Sequence, residues 1–346
     1  MKIVFMGTPE FAVPPLAALA ARHDVLAVAC RPDKPAGRGK KIQSPPVKEF
    51  ASGLGIPVLQ PLRCSDADFC KALERAGADV FVVAAFGLIF PKRALELPRY
   101  GCFNIHASLL PKYRGASPVQ QAIIDGEAAT GVTVMRMDEG LDTGDIVLRR
   151  EIPIDPADTA GTLTAKLSAL GAEAILVALG DIEAGRAVYI RQGADFTYAP
   201  AITKERGRLS FDGTPAEIVN LVRAMNPWPL CFAFINGERL TIRSAALPIP
   251  PAAVPLPASV PPPAASALAP AMIPDPRGQS GSAGDAGIDE NAFGRIADIS
   301  KAGVSVQARG GRVLLTEVQP GGGRAMPADA YTRGHGVKIG DRFSPR

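Results

Sequence analysis

Asn104 and His106 stand two residues apart in the run Cys-Phe-Asn-Ile-His, Cys102–His106. An amide and an imidazole so spaced can work on one carbonyl. Apolar and polar residues alternate there, which predicts a strand with Asn104 and His106 on one face. Phe103 and Ile105 then take the other face. A neutral amide donates hydrogen bonds to a developing oxyanion. An imidazole polarises the same oxygen or moves a proton. A second run, Asp138–Asp145, holds three aspartates and two glycines and reads as a tight loop. If it folds back onto the strand, an aspartate joins the pair and either fixes the imidazole or helps water carry a proton away. No residue in the two runs is an evident covalent nucleophile, which favours acyl transfer between two bound substrates. The plainer account is a satisfied strand histidine beside a turn-forming asparagine. Against it stand the chain's count of only three His, the neighbouring Asn104, and the Pro111–Gly115 turn carrying Tyr113 and Arg114.

A βαβ pattern must position these residues. Lys2–Met6 and Asp24–Cys30 read as strands and Pro9–Ala21 as the helix between them. Gly7-Thr-Pro is not Gly-x-Gly-x-x-Gly, and no acidic residue closes the second strand. The expectation is a doubly wound, mostly parallel α/β sheet without a dinucleotide site. Asp79–Ala85 is an apolar strand leading into Phe86, Gly87, Leu88 and Ile89, which line an apolar pocket beside the polar strand or simply fill core. Ser117–Asp125 and Thr162–Glu183 read as helices, and Gly131–Met137 and Ile146–Ile154 as strands. Arg31–Lys48 interrupts the pattern with six positive residues against Asp33 alone, and its prolines and glycines oppose regular structure in most of it. It is a solvated basic loop, or a binding loop at the edge where open α/β sheets hold ligands.

The run Asn104-x-His106-x-Ser108-Leu-Leu-Pro111-x-Tyr-Arg-Gly115, with Asp142-x-Gly-Asp145 downstream, resembles the folate-dependent formyltransferases, over Met1 to about Tyr198 and again at Asn226-Pro-Trp-Pro229. The resemblance implies Asn104, His106 and Asp142 as catalytic residues and 10-formyltetrahydrofolate as formyl donor, with no metal. It implies folate contacts from Ser108, Leu109, Leu110 and Pro111, and pterin contacts from Phe86–Ile89. The likeness is nearest to the tRNA-directed branch, so the implied partner is an initiator methionyl-tRNA. In that branch the loop matching Arg38, Lys40 and Lys41 reaches the acceptor end.

The chain has 346 residues, 47% of them apolar, enough for two domains of ordinary size or three small ones. The expected order is a catalytic domain over 1–198, a linker over 199–213, and a small OB-like barrel over 214–346 that binds tRNA. Strands are expected at Cys231–Ile235, Leu240–Ala245, Ala292–Asp298, Gly303–Ala308 and Arg312–Gln319. Leu247–Glu290 is rich in Pro and Ala, then in Gly, Ser and Asp, and lacks side chains to bury. It reads as an insertion, mobile or loosely packed, where the family's connection is short. The overall charge of +4 divides unevenly. Residues 1–205 are neutral and the insertion is acidic, whereas 206–246 and 291–346 carry fourteen Lys/Arg against seven Asp/Glu. A basic barrel suits a polyanion, or merely stays in solution.

Five scattered Cys form no metal or redox motif and read as reduced structural thiols. No signal peptide or membrane span is expected; the reading is a cytoplasmic monomer. Three rivals stand beside the tRNA formyltransferase. A formyltransferase for a small amine shares the trio but has no use for the basic loop and barrel. A non-enzymatic RNA-binding protein explains the charge and not the trio. A hydrolase using Ser108 lacks Gly-x-Ser-x-Gly.

Overall fold

The computed structural model describes residues 1–36, 41–248 and 292–345. Contact density divides the chain into two units, Met1–Arg208 with Asn220–Cys231, and Leu209–Val219 with Phe232–Arg346. The expected boundary at 198 thus falls inside the first unit, as does the Asn226–Pro229 turn.

The first unit's strands are β1 (Lys2–Gly7), β2 (Asp24–Ala29), β3 (Lys34–Ala36), β4 (Lys41–Gln43), β5 (Val58–Leu59), β6 (Val80–Ala84), β7 (Cys102–His106), β8 (Arg114–Gly115), β9 (Ala129–Arg136), β10 (Ile146–Pro153) and β11 (Tyr198–Ala199). Its helices, α1 to α6, span Val13–Ala20, Pro46–Gly53, Ala67–Ala76, Lys92–Leu95, Pro118–Ile124 and Ala160–Glu183. β1 and β6 are near-continuous runs of buried apolar residues, as strands covered on both faces must be. They lie inside a seven-stranded sheet ordered β10-β9-β7-β6-β1-β2-β5. β5, β2, β1, β6 and β7 run parallel, while β9 pairs antiparallel with both β7 and β10. β7 therefore sits at the boundary between the two regimes.

One face of β7 is closed by α6. Phe103 and Ile105 are fully buried, and a Cβ on Gly171 would stand only 2.9 Å from Ile105 Cγ2. Glycine there lets the helix approach the strand. Thr159 and Thr162 cap α6 reciprocally through side chain and backbone, worth about 1 kcal/mol. By length and composition alone α6 could cross a membrane, but Leu163, Leu167, Ile175 and Leu179 are buried within the unit. The opposite face of β7, with Asn104 and His106, is left for the site.

Two sequence expectations change. Pro9–Ala21 is not one helix: a single 3-10 turn, Glu10–Ala12, precedes α1, whose prolines occupy its first positions, where no N–H is needed. Arg31–Lys48 is less irregular than expected, because β3 and β4 pair antiparallel across Pro35↔Ile42. An isolated two-stranded ribbon lets Pro35 turn outward its missing donor. Arg38 and Lys40 lie outside the described residues, as does the Lys41 side chain, although Lys41 opens β4.

The second unit's sheet is antiparallel along β13 (Glu238–Ala246), β16 (Gly311–Pro320), β15 (Gly303–Ala308) and β14 (Ile296–Ser300), with β17 (Met326–Pro327) on β16 and β12 (Cys231–Ile235) beside β13. Asn236 and Gly237, at φ 51° and 80°, make the two-residue left-handed turn that joins β12 to β13. The C-terminal tail bonds both edges. Ser344 exchanges hydrogen bonds with Phe234 beside β13, at 2.8 and 2.9 Å, while the Ile296 amide reaches the Asp341 carbonyl at 2.8 Å and Phe343 the Gly294 carbonyl at 2.8 Å. The tail thus bonds to β12 and to β14, the two edge strands of this antiparallel sheet. Helices α7 (Pro215–Ala224) and α8 (Ala328–His335) complete the order; α8 was not foreseen. β14 begins at Ile296 rather than Ala292, because Gly294 at φ 80° turns the chain first.

Residues 249–290 of the expected insertion lie outside the described residues. Since that stretch is dominated by Pro, Ala, Gly and Ser and holds no aromatic residue, replacing it with a Gly/Ser linker should shift Tm by less than about 4 °C. A calorimetric scan showing loss of a cooperative transition would mean that the stretch is part of the fold.

Candidate active site

β7 presents Asn104 and His106 on the face away from α6. The next link is the loop after β9. Met137 still bonds the Cys102 carbonyl at 2.8 Å, at the amino end of β7, so the chain must travel back along the strand to reach His106. Gly144 permits the return, because a Cβ there would collide with the Arg136 carbonyl. Asp142 adopts φ 54°, a left-handed conformation that Asp tolerates better than most residues.

The return brings the trio together. The Asn104 amide donates to Asp142 Oδ1 at 3.4 Å, and Asp142 Oδ2 lies 3.7 Å from His106 Nδ1. The Gly115 backbone N–H donates to Asp142 Oδ2 at 2.8 Å. His106 Nε2 is 2.9 Å from the Tyr113 carbonyl. A carbonyl only accepts, so Nε2 carries the proton and Nδ1 is the nitrogen free to gain one. The His106 and Asp142 side chains are 7% and 12% exposed, so their mutual field is weakly screened.

Tyr113 carries the acceptor for His106 and is itself held firmly. Its φ is 62°, unusual for a bulky residue. Its amide donates to Thr197 Oγ1 at 2.9 Å and its hydroxyl to Glu127 Oε1 at 2.8 Å. Burial and that carboxylate push the phenol's pKa well up, so it stays protonated. Cys102, on the same strand, has its thiol pushed up to about 12 by burial. It is no thiolate nucleophile. All five cysteines are buried and unpaired.

The implied folate contacts divide by burial. Ser108 is fully buried and its hydroxyl donates to the Lys112 carbonyl at 2.6 Å, while its own carbonyl accepts from Thr133 at 2.7 Å. Leu110 packs with Met135 and Ile146. Leu109 and Pro111 remain half-buried. Phe86 belongs to the core, with its ring centroid 5.8 Å from that of Phe90. Leu88 is half-buried, Gly87 is exposed, and Ile89 is 88% exposed. These segments leave the carboxyl ends of adjacent strands β6 and β7, so an apolar edge borders the polar trio. That edge suits a flat, partly apolar ligand. Among the described residues, no group of three or more His, Cys, Asp or Glu is placed to hold a metal.

Two further residues complete the site. Gln192 donates from Nε2 to the carbonyls of Asp142 and Gly144 at 2.9 and 2.7 Å, and accepts at Oε1 from Arg114 at 3.1 and 2.7 Å. Arg114 is 5% exposed and lies 4.4 Å over the Phe196 ring. Arg114 is within the motif; Gln192 carries no periodicity or spacing by which a single sequence could flag it.

An open α/β sheet bearing an amide, an imidazole and a carboxylate, with no activated nucleophile beside them, defines a protein for proton-assisted transfer between bound molecules. The chain belongs to the formyl transferase family: the formyl transferase model matches residues 1–179, and the formyl transferase C-terminal domain matches 201–258 and 272–336. It is 41% identical to the methionyl-tRNA formyltransferase of Pelotomaculum thermopropionicum, over 99% of this chain and all of the relative. It is 40% identical to that of Moorella thermoacetica, over 99% of this chain and 98% of the relative. Among solved structures, the sugar 3N-formyl transferase WlaRD shares the fold at TM-score 0.60 and 20% identity, covering 91% of this chain and 96% of that one. HypX from Aquifex aeolicus does so at TM-score 0.58 and 15% identity, covering 96% of this chain but only 47% of HypX.

Proposed function

We propose that this protein moves the formyl group of 10-formyltetrahydrofolate to the free amino group of initiator methionyl-tRNA, giving N-formylmethionyl-tRNA for translation initiation. The observation that carries the reading is the convergence of Asn104, His106 and Asp142, in a chain similar over nearly its whole length to methionyl-tRNA formyltransferases. Folates in the WlaRD and HypX structures support the donor class. The apolar edge formed by Leu88, Ile89, Leu109 and Pro111 would hold the donor's ring system. The protein acts as a cytoplasmic monomer.

This geometry supports the following roles. Asn104 keeps an amide N–H for the formyl oxygen as the amine attacks and negative charge gathers there. His106, protonated only at Nε2, takes the proton shed by the attacking nitrogen at Nδ1, directly or through water beside Asp142. The resulting imidazolium lies against the Asp142 carboxylate and adds positive charge near the oxyanion. The new N–C bond forms, the bond from the formyl carbon to the folate nitrogen breaks, and that nitrogen receives the proton His106 held. Atoms and charge balance without a covalent enzyme intermediate.

The test is formyl transfer to methionyl-tRNA, with uncharged tRNA and an amino sugar nucleotide as alternative acceptors. Product is expected with the charged tRNA alone. Efficient use of the sugar and none of the tRNA would overturn the acceptor assignment.

A further inference from the structure

Gln192 lies between the two stretches that match the family, 1–179 and 201–258, and belongs to neither. Resting on the function just proposed, we infer that Gln192 is the positioning residue that holds the Asp142 carboxylate in register with His106 and Asn104.

The inference follows from a closed polar circuit. Arg114 grips Gln192 Oε1 with two N–H groups, and Gln192 Nε2 grips the carbonyls of Asp142 and Gly144. The Asp142 carboxylate then reaches back to the amide of Gly115, the residue after Arg114. Every donor of Nε2 and both lone pairs of Oε1 are used. Asp142 needs such a clamp. Its φ of 54° lies in the left-handed region, a conformation held in place by the bonds around it. Gly144 keeps the loop close to Arg136, but it does not fix the rotation that aims the carboxylate. The Gln192 bonds act on the carbonyl of Asp142 itself. A carboxamide is required, because only it offers two donors on one side and a double acceptor on the other. Glutamate would keep the Arg114 side and turn a charged oxygen toward two carbonyls.

The experiment compares Gln192→Ala, Gln192→Glu and Asp142→Asn in the full chain, with kcat, both KM values and Tm. In Gln192→Ala, kcat should fall about tenfold to a hundredfold, the effect of roughly an ångström of misplacement, while KM for each substrate stays within about twofold. Gln192→Glu should fall at least as far even if its pairing with Arg114 raises Tm. A merely structural residue would make activity follow Tm across the set. Wild-type kcat in Gln192→Glu, or full recovery of Gln192→Ala at a temperature where it is folded, would overturn the inference. If Asp142→Asn is inactive while Gln192→Ala is fully active, this inference alone falls. If Asp142→Asn is fully active, the proposed role of Asp142 falls and this inference with it.

Discussion

His106→Ala is expected to lower kcat by about 10²–10⁴-fold, the usual worth of a positioned proton-transfer group. His106 is held at Nε2 by the Tyr113 carbonyl at 2.9 Å, which leaves Nδ1 as its one variable protonation site, and Asp142 faces that site. Its removal also leaves the Tyr113 carbonyl without its partner in a buried place, costing about 1–3 kcal/mol of stability. Some fall in Tm should therefore accompany the kinetic loss, and assays belong well below the new midpoint. Asn104→Ala separates the two effects. Asn104 is half-buried and reaches Asp142 only at 3.4 Å, so little stability depends on it. Loss of one oxyanion donor should still remove about 2.7–4 kcal/mol of transition-state stabilisation. The double variant His106→Ala/Asp142→Asn should cost little more than the worse single one, since the pair acts as a unit. Saturating-substrate kinetics decide it: near wild-type turnover in either single variant removes the assignment.

What the sequence made legible was whatever depends on local period. The alternation in Cys102–His106 placed Asn104 and His106 on the face opposite Phe103 and Ile105, and β7 has those bounds. The βαβ start and the antiparallel strands of the second unit follow the same logic. Long-range partners leave no such trace. The tautomer of His106 is set by a carbonyl on a residue with positive φ, and Asp142 is aimed by an amide fifty positions away in sequence. The path of the Asp138–Asp145 loop was equally hidden. Its glycines announce a turn, but the collision that makes Gly144 necessary is with Arg136 of the preceding strand. The burial of Phe86 and the exposure of Ile89, three residues on, likewise depend on what α4 and β6 cover.

Neutralising Arg38, Lys40 and Lys41 together is expected to weaken use of methionyl-tRNA and to flatten its dependence on salt. Arg31–Lys48 holds six positive residues and one negative. That negative charge is spent within the chain: Asp33 accepts from Lys48 Nζ at 2.8 Å and from Gln60 Nε2 at 2.8 Å. These bonds, Lys48 first, hold its carboxyl below the usual range, so it stays ionised and Lys48 stays occupied. The excess charge of the remaining basic residues has no internal match in the segment. The segment also follows β2, whose carboxyl end shares an edge with β1, β6 and β7, where Thr8 links the Arg31 amide to the Phe86 carbonyl at 3.2 and 3.3 Å. A polyanion whose reactive end enters at the trio would pass this root. Each phosphate contact releases counterions and adds roughly 0.7–0.9 to the slope of log affinity against log salt. The triple-Ala variant should therefore lose about two units of slope in log kcat/KM for methionyl-tRNA, with the largest deficit at low salt. KM for the folate donor should hardly move, since its implied contacts at Phe86–Ile89 and Ser108–Pro111 keep their charge and packing. Unchanged tRNA kinetics across a salt series would remove the loop from the tRNA interface and return weight to a small-amine acceptor.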